Sequence, residues 1–191
     1  MNQTHFLEQF EQRQILQNGH FRLTSGKHSS GYMQCAGVFQ DPAFAAQCVG
    51  ALLAGSELDV NLVISPAIGG VLMGYEASRQ LGVPNIFAER QQGVMSLRRG
   101  FSLEAGQRVL VVEDVVTTGG SVKEVLALVE QAGAKAVAVG VLVDRSGGKA
   151  DFGVPLHSLL QVSLPAYEPD DCPLCRDGRP ITKPGSRELS K

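Results

Sequence analysis

Two adjacent acids, Glu113 and Asp114, follow an apolar run at 109–112 and precede a segment of hydroxyl residues and glycines at 117–121. Glycines let a ligand approach the backbone closely, and threonine and serine hydroxyls add hydrogen-bond donors, so this segment suits a phosphate monoester. Two carboxylates beside a phosphate repel it unless they face neutral or cationic groups, for which ribose hydroxyls and Mg²⁺ are natural candidates. The pattern therefore indicates a site for a phosphorylated sugar.

The residues on either side of this segment predict the elements that hold it. Residues 109–112 are typical of a strand buried on both faces, and residues 122–133 have helical spacing. A helix beginning at the glycines directs unpaired N–H groups and its positive dipole end at the phosphate. An ordinary strand-to-helix turn with a glycine cap is the alternative, but it leaves the acids and the hydroxyls unexplained.

The two common nucleotide-binding loops do not account for the pattern. Residues 25–28 (SGKH) contain a lysine but lack the first glycine and the final hydroxyl of a P-loop, and no GxGxxG follows a predicted strand. The sugar-phosphate interpretation therefore depends on the acids, hydroxyls and glycines alone.

The N-terminal part of the chain predicts a helix at 4–18, ended by Gly19, and then short strands joined by turns at 19–37. A further helix is predicted to begin at Asp41-Pro42, because aspartate caps a helix and proline suits its first position.

After this point strands alternate with helices, which predicts an α/β fold with a mostly parallel sheet flanked by helices. Strands are predicted at 59–65, 83–89, 109–113 and 136–143, the last being the final buried strand, and helices at 69–82 and 121–132. Residues 90–104 have no clear period and are predicted to form a mobile functional loop.

Composition restricts the class of protein. A chain of 191 residues, 43% apolar and 19% charged, is typical of one globular domain. A net charge of -2 argues against a nucleic-acid partner, and the apolar run at 136–143 is too short for a membrane span. The N-terminus lacks a signal-peptide pattern, and four cysteines do not make a disulfide scaffold. We expect a cytoplasmic protein without a membrane partner.

Cys172 and Cys175 form a CxxC pair. Such a pair binds zinc or cycles as a dithiol, but a zinc site needs two more ligands and no second CxxC is present, so we favour a packed or free thiol pair. His28, beside Lys27, is predicted to support the substrate site. His157, Cys35 and Cys48 have no diagnostic ligand spacing, and His5, His20 and His157 are interpreted as surface or satisfied histidines rather than as ligands.

Residues 109–121 (VLVVEDVVTTGGS) resemble the phosphoribosyl-diphosphate signature of the type I phosphoribosyltransferases. Within that family, residues 21–33 (FRLTSGKHSSGYM), 143–145 and 172–188 (CPLCRDGRPITKPGSRE) are similar to orotate phosphoribosyltransferases. The resemblance covers nearly the whole chain. It implies transfer of the 5-phosphoribosyl group from phosphoribosyl diphosphate to orotate, which gives orotidine 5'-monophosphate and diphosphate in pyrimidine (UMP) synthesis.

The resemblance also implies residue roles. Glu113 and Asp114 are assigned to the ribose 2- and 3-hydroxyls, and Mg²⁺ is expected to bind through the substrate with these acids as candidate ligands. The loop assigned to the 5-phosphate and its surroundings comprises Val115, Val116, Thr117, Thr118, Gly119, Gly120 and Ser121. The backbone assigned to the diphosphate comprises Ala67, Ile68 and Gly69.

Three residues are assigned to orotate by the same resemblance. Lys27 is expected between orotate and the diphosphate, Thr117 faces the base, and Arg145 pairs with the orotate carboxylate, which suits its forked donors. The plain alternatives are a solvated surface lysine for Lys27 and a strand-end ion pair of Arg145 with Asp144 or Asp151.

The stretch that begins at Arg90 matches the mobile catalytic loop of the family, which reaches into the site of the neighbouring subunit. Many relatives carry lysines and a histidine there, whereas residues 90–100 read RQQGVMSLRRG. The predicted donors to the leaving diphosphate are therefore Arg90, Arg98 and Arg99, which join the two acids as predicted catalytic residues. A solvated charge pair is the alternative for Arg98 and Arg99.

The resemblance implies a homodimer and a single phosphoribosyltransferase domain at 1–191. Its expected parts are an N-terminal helix and hood at 1–58, an α/β core at 59–165 and a tail at 166–191. Two rival interpretations stay open: a phosphoribosyltransferase for a purine or uracil, and a non-catalytic regulator that binds nucleic acid. Lys27 and Arg145 argue against the first, and the absence of a basic patch argues against the second.

Overall fold

The fold is that of a computed structural model, which describes residues 3–54 and 58–184. In chain order the elements are α1 Gln3–Gln12, β1 Leu16–Arg22, β2 His28–Met33, a 3₁₀ helix Cys35–Gln40, α2 Pro42–Leu53, β3 Leu62–Pro66, α3 Gly69–Leu81, β4 Asn85–Gln91, β5 Val94–Leu97, β6 Arg108–Val116, α4 Gly120–Gln131, β7 Lys135–Asp144, β8 Leu156–Gln161, β9 Ala166–Tyr167, a 3₁₀ helix Pro169–Asp171 and α5 Pro173–Arg176. Within these ranges, no helix has both the length and the apolar character needed to cross a membrane.

The central sheet has six strands in the order β5-β4-β3-β6-β7-β8, and its strand pairs are parallel except for β4 with β5. The crossover through α3 leads from β3 to β4, and the crossover through α4 leads from β6 to β7 in the opposite direction. The strand order therefore reverses between β3 and β6. Open parallel sheets bind ligands at the carboxyl ends of their strands at such a point. The predicted α/β class is confirmed.

Strand β6 separates two apolar layers. Val109 and Val111 pack in the layer that contains α4, whereas Leu110 and Val112 pack in the layer that contains α2 and α3. All four side chains are buried, which confirms the prediction of a strand covered on both faces. Strand β6 is therefore packed between α3 and α4.

The local signals for the ends of α2 and α3 are confirmed. The Asp41 carboxylate accepts hydrogen bonds from the backbone N–H groups of Ala43 and Phe44 at 3.0 and 3.2 Å, and Pro42 is the first residue of α2. Gly82 ends α3 with a left-handed φ of 69°.

The predicted helix at 4–18 is wrong beyond Gln12. Gln14 has a left-handed φ of 59°, and the N–H of Ile15 donates to the carbonyl of Phe10, so the chain leaves the helix there. Ile15 and Leu16 are buried on entering β1, and Gly19 lies inside that strand rather than at a helix end. The apolar residues of the helix and those of the following strand together fit one helical period. The sequence pattern therefore predicted a helix that was too long.

Residues 90–104 were predicted to lack regular structure, and this prediction is also wrong for the first half of the segment. Strands β4 and β5 form a hairpin in which Gln91 pairs with Val94. The turn residues Gln92 and Gly93 have φ values of 51° and 85°, as a two-residue hairpin turn requires. The buried Met95 anchors β5 to the layer of α4.

The prediction that β7 is the last strand is wrong, because two more strands follow it. Strand β8 pairs parallel to β7 after a connection at 145–155 that contains no helix, so no helical period marks the crossover. Strand β9, from the tail, pairs with β2 in a separate sheet of order β1-β2-β9. This hood is therefore built from both ends of the chain, and the proposed boundary at 166 runs through it. Residues 55–57, and 185–188 of the tail motif, lie outside the described residues.

Candidate active site

The acids Glu113 and Asp114 lie inside β6, not after it. Strand β6 pairs with β3 only as far as Val111, whereas its pairing with β7 continues to Val116. The acids therefore occupy the part of β6 that extends beyond β3, at the point where the strand order reverses. Both side chains are partly buried and face the start of α3.

Two glycines allow α3 to begin against the acids. A Cβ on Gly69 would stand 2.9 Å from Asp114 Oδ1, and a Cβ on Gly70 would stand 3.1 Å from Glu113 Oε1. The α3 terminus has no side-chain cap, and the Ala67–Ile68 peptide bond before it is cis. The backbone predicted to bind diphosphate thus adjoins the acids and presents uncapped N–H groups.

Both carboxyl groups of the acid pair have raised pKa values. Burial, followed by the charge of Asp114, raises the pKa of Glu113 to about 8. Burial also raises the pKa of Asp114, although its Oδ1 accepts a hydrogen bond of 2.8 Å from the N–H of Val115. Both carboxylates are therefore suited to bind hydroxyl groups or a cation, which would stabilise their charged forms.

The loop between β6 and α4 forms a cavity of about 200 Å³. Gly119 has a left-handed φ of 76°, and a Cβ there would stand 2.7 Å from the ring of Phe152. The α4 terminus has no side-chain cap, and Thr117 and Thr118 are exposed at the cavity. The lining consists of Arg90, Glu113, Val115, Val116, Thr117, Thr118, Gly119, Gly120, Ser121 and Val122. Uncapped N–H groups and hydroxyls around such a cavity suit a phosphate.

Arg90 is the one cation among the described residues that line this cavity. Its Nε and Nη2 donate to the two carboxylate oxygens of Glu124 at 3.1 and 2.9 Å, and Nη2 donates to Ser121 Oγ at 3.3 Å. The hydrogen bonds from Arg90 to Glu124 raise the pKa of Arg90. Glu124, one turn into α4, holds the Arg90 guanidinium beside the phosphate loop. This role of Glu124 was not predicted from the sequence.

Arg98 and Arg99 lie away from this cavity. Both contact Glu89, at 3.5 and 3.1 Å, and both side chains are largely exposed. In this arrangement they follow the end of β5 and pair with β4 through Glu89. Their predicted role at the diphosphate stays a prediction.

Arg145, at the end of β7, is positioned by its backbone. Its N–H donates to the carbonyl of Val116 at 2.7 Å, which places it beside the end of β6. Its Nε is buried without a hydrogen-bond partner among the described residues, and burial lowers its pKa. The carboxylates of Asp144 and Asp151 accept from the N–H groups of Ser146 and Gly153 instead. The ion pair considered as an alternative is thus not formed.

Cys35 was not predicted to be near the site. Burial raises the pKa of its thiol, and the charges of Asp114, Arg145 and Glu113 all act on it. Cys35 is therefore buried near both the acids and Arg145. Glu113 and Asp114 in β6 and Arg145 just after the neighbouring strand β7 therefore all lie close enough to act on one buried thiol.

Lys27 precedes β2 and forms an ion pair of 2.7 Å with Glu168, and both side chains are substantially exposed. It does not line the cavity at 117–121. The contact with Glu168 was missed because the two residues are far apart in the chain.

Comparisons with known proteins agree with the family resemblance over most of the chain. The model of the phosphoribosyl transferase domain matches residues 43–152. The chain is 54% identical to the orotate phosphoribosyltransferase of Thermotoga maritima over 95% of this chain and 98% of that protein. It is 51% identical to that of Caldanaerobacter subterraneus subsp. tengcongensis over 99% of this chain and 100% of that protein.

A solved structure agrees with the fold. The orotate phosphoribosyltransferase of Aeropyrum pernix is 26% identical, with a TM-score of 0.71, and the match covers 81% of this chain and 92% of that one. The family match spans more than half of the chain, and the identity to the curated relatives is about one half. The chain therefore belongs to the phosphoribosyltransferase family, and within it to the orotate phosphoribosyltransferases.

Proposed function

We propose that this chain transfers the 5-phosphoribosyl group from phosphoribosyl diphosphate to orotate, giving orotidine 5'-monophosphate and diphosphate in pyrimidine synthesis. The observation that carries the choice of base is the Arg145 guanidinium, which is partly buried beside the sugar-phosphate loop with its Nε unpaired. A buried cation without an acid partner is costly, and the carboxylate of orotate would supply that partner. Adenine, hypoxanthine and uracil have no carboxylate.

The 5-phosphate is assigned to the cavity at 117–121. The uncapped N–H groups at the start of α4 and the exposed hydroxyls of Thr117 and Thr118 supply donors. Arg90, held by Glu124, adds a positive charge at the rim. This arrangement binds the phosphate without using the acids, which remain available for the ribose.

Glu113 and Asp114 are assigned to the ribose 2- and 3-hydroxyls. Displacement at the anomeric carbon builds positive charge on the sugar and negative charge on the departing diphosphate. Carboxylates near the ribose stabilise the first, and the uncapped start of α3 stabilises the second. Catalysis in this proposal is electrostatic and positional, without a covalent intermediate.

The residues fit a requirement for Mg²⁺. Two partly buried carboxylates lie side by side, and burial raises the pKa of each, so a bound cation would stabilise their charged forms. When bound with the substrate, Mg²⁺ would neutralise the diphosphate. Glu113 and Asp114 are the residues that would hold it.

A homodimer is part of the proposal. Ile68, Leu72 and Tyr75 follow one another at helical spacing along the start of α3 and are 88%, 56% and 63% exposed. An exposed apolar stripe beside the diphosphate backbone suits a second copy of the chain, whose hairpin would bring Arg98 and Arg99 to this site. We also propose a cytoplasmic location, which agrees with the four cysteines being free thiols.

The direct test offers the purified chain phosphoribosyl diphosphate and Mg²⁺ with each of four bases: orotate, adenine, hypoxanthine and uracil. We expect loss of the orotate absorbance and no turnover of the other three. Activity on one of these and not on orotate would contradict the proposal. Binding of RNA or DNA in a gel shift without turnover of any base would support the regulator instead.

A further inference from the structure

Four metal-ligating side chains meet in the hood, outside the cavity at 117–121. His20 of β1, His28 of β2, and Cys172 and Cys175 of the tail place one ligand atom each within 4.8 Å of one another. His20, His28 and Cys172 are buried, and Cys175 is exposed. We propose that these four residues form a structural Zn²⁺ site that fastens the tail to the hood.

The distances fit a tetrahedral ion. His20 Nε2 lies 3.1 Å from His28 Nδ1, and the Cys172 and Cys175 sulfurs lie 3.5 and 3.7 Å from His20 Nε2. The Cys175 sulfur lies 3.2 Å from His28 Nδ1. Around Zn²⁺ with ordinary bond lengths, two tetrahedral nitrogens are about 3.3 Å apart and a nitrogen and a sulfur about 3.6 Å apart. Three of the four separations lie within about 0.2 Å of the corresponding edge, and the fourth, from the Cys175 sulfur to His28 Nδ1, is about 0.4 Å shorter.

The hydrogen bond at Nδ1 of His20 leaves its Nε2 available to bind the metal. Its Nδ1 lies 2.9 Å from the carbonyl oxygen of Arg179, which can only accept, so Nδ1 carries the hydrogen. In the neutral ring Nε2 then directs a lone pair at the other three ligand atoms. Zinc-bound histidines commonly have this kind of hydrogen bond from the second nitrogen to a carbonyl.

The donor set identifies the metal. Two thiolates and two neutral imidazoles balance the charge of one divalent ion, so a largely buried site carries no net charge. Sulfur and imidazole donors in a tetrahedral closed set favour zinc over the oxygen-seeking cations Mg²⁺ and Ca²⁺. All four positions are filled by protein, which indicates a structural rather than a catalytic ion.

The tail has little else to hold it. Among the described residues 168–184, Cys172 and Leu174 are the two that are buried. Yet the tail contacts the hood at both edges, because β9 pairs with β2 and Thr182 exchanges backbone hydrogen bonds with His20 and Arg22 of β1. A metal joining β1, β2 and the CxxC turn would supply the stability that apolar burial does not.

The first test measures the metal content of the full chain purified without added chelator. We expect about one zinc per chain, and loss of it in Cys172→Ser and in Cys175→Ser. Cys48→Ala removes a buried thiol remote from the cluster and should keep the zinc. Zinc content that is unchanged in both serine variants would overturn the proposal.

A second measurement uses the unaltered chain, so it does not depend on whether a variant folds. Chelator-treated, reduced protein is titrated with Co²⁺, and we expect the intense visible absorption of tetrahedral cobalt together with a sulfur-to-cobalt charge-transfer band. Re-addition of Zn²⁺ should raise the melting temperature that chelation lowered. A Cys172–Cys175 disulfide in the protein as purified, or no binding of either metal by the reduced chain, would refute the site. Neither measurement depends on the proposed reaction.

Discussion

Gly69 lies against the carboxylate of Asp114 so closely that a Cβ on the glycine would stand 2.9 Å from Oδ1. The contact joins two elements that the proposed reaction uses together, because the start of α3 adjoins the backbone assigned to diphosphate and β6 carries the acids assigned to ribose. The absence of a side chain at Gly69, together with that at Gly70, therefore allows the two halves of the site to lie this close.

Replacing Gly69 by alanine should displace Asp114 rather than unfold the chain. An acid moved by a fraction of an ångström loses its alignment, so we expect kcat/KM to fall about 10- to 100-fold. The matched control is Gly50→Ala in α2, where the new methyl would meet only the flexible end of Gln80. Equal activity of the two variants would show that the Gly69 contact does not matter.

Replacing Arg145 by glutamine should weaken orotate binding specifically. Loss of a charged hydrogen bond to a carboxylate predicts a rise of about 10- to 100-fold in the KM for orotate. The KM for phosphoribosyl diphosphate should change little. Arg79→Gln, which removes an exposed arginine paired with Glu76, serves as the control. A parallel rise in both KM values would argue against a contact with the base.

The raised pKa of Glu113 predicts that the stability of the chain depends on pH when neither substrate nor divalent cation is present. Because its pKa is raised from 4.5 to about 8, the folded state binds more protons than the unfolded state between these values. The free energy of unfolding should therefore fall as the pH rises through that window. Denaturant unfolding at several pH values should show a shallower fall for Glu113→Gln than for the exposed Glu104→Gln. Parallel curves for the two variants would contradict the raised pKa.

Tyr75→Glu should weaken the proposed dimer without unfolding the chain, since the side chain is 63% exposed. A charge in the apolar stripe of α3 is expected to shift the mass measured by light scattering from two chains toward one. Gln12→Glu adds the same charge at an exposed position of α1 and should leave the mass unchanged. A wild-type chain that is monomeric at all concentrations would rule the dimer out.

The order of strand, loop and helix from β6 to α4 could be predicted from the sequence because its parts are contiguous. The buried run, the acids, the hydroxyls and the glycines before α4 are local signals, as are the Asp41 cap and the Gly82 stop. At Ile15 and Leu16 the apolar pattern of a helix continues into that of a strand. The same reasoning therefore predicted a helix where the chain enters β1. The Gln92-Gly93 turn was a local signal of the hairpin that was overlooked.

Long-range contacts could not be predicted in this way. His20 and Cys172 are 152 positions apart, and they meet only because the tail returns to the hood. Neither histidine has ligand spacing relative to the CxxC pair, so the donor set is visible only in three dimensions. The pairing of Lys27 with Glu168 has the same origin.

The central claim is that this chain converts orotate at the acids of β6. Asp114→Asn keeps the shape of the side chain but removes its charge, and Asp59→Asn makes the same change at an exposed ion pair with Arg108. With orotate, phosphoribosyl diphosphate and Mg²⁺, the wild type and Asp59→Asn should consume orotate at similar rates. The kcat of Asp114→Asn should fall by about 100-fold or more with little change in melting temperature. Unchanged turnover by Asp114→Asn, or no consumption of orotate by the wild type, would contradict the account.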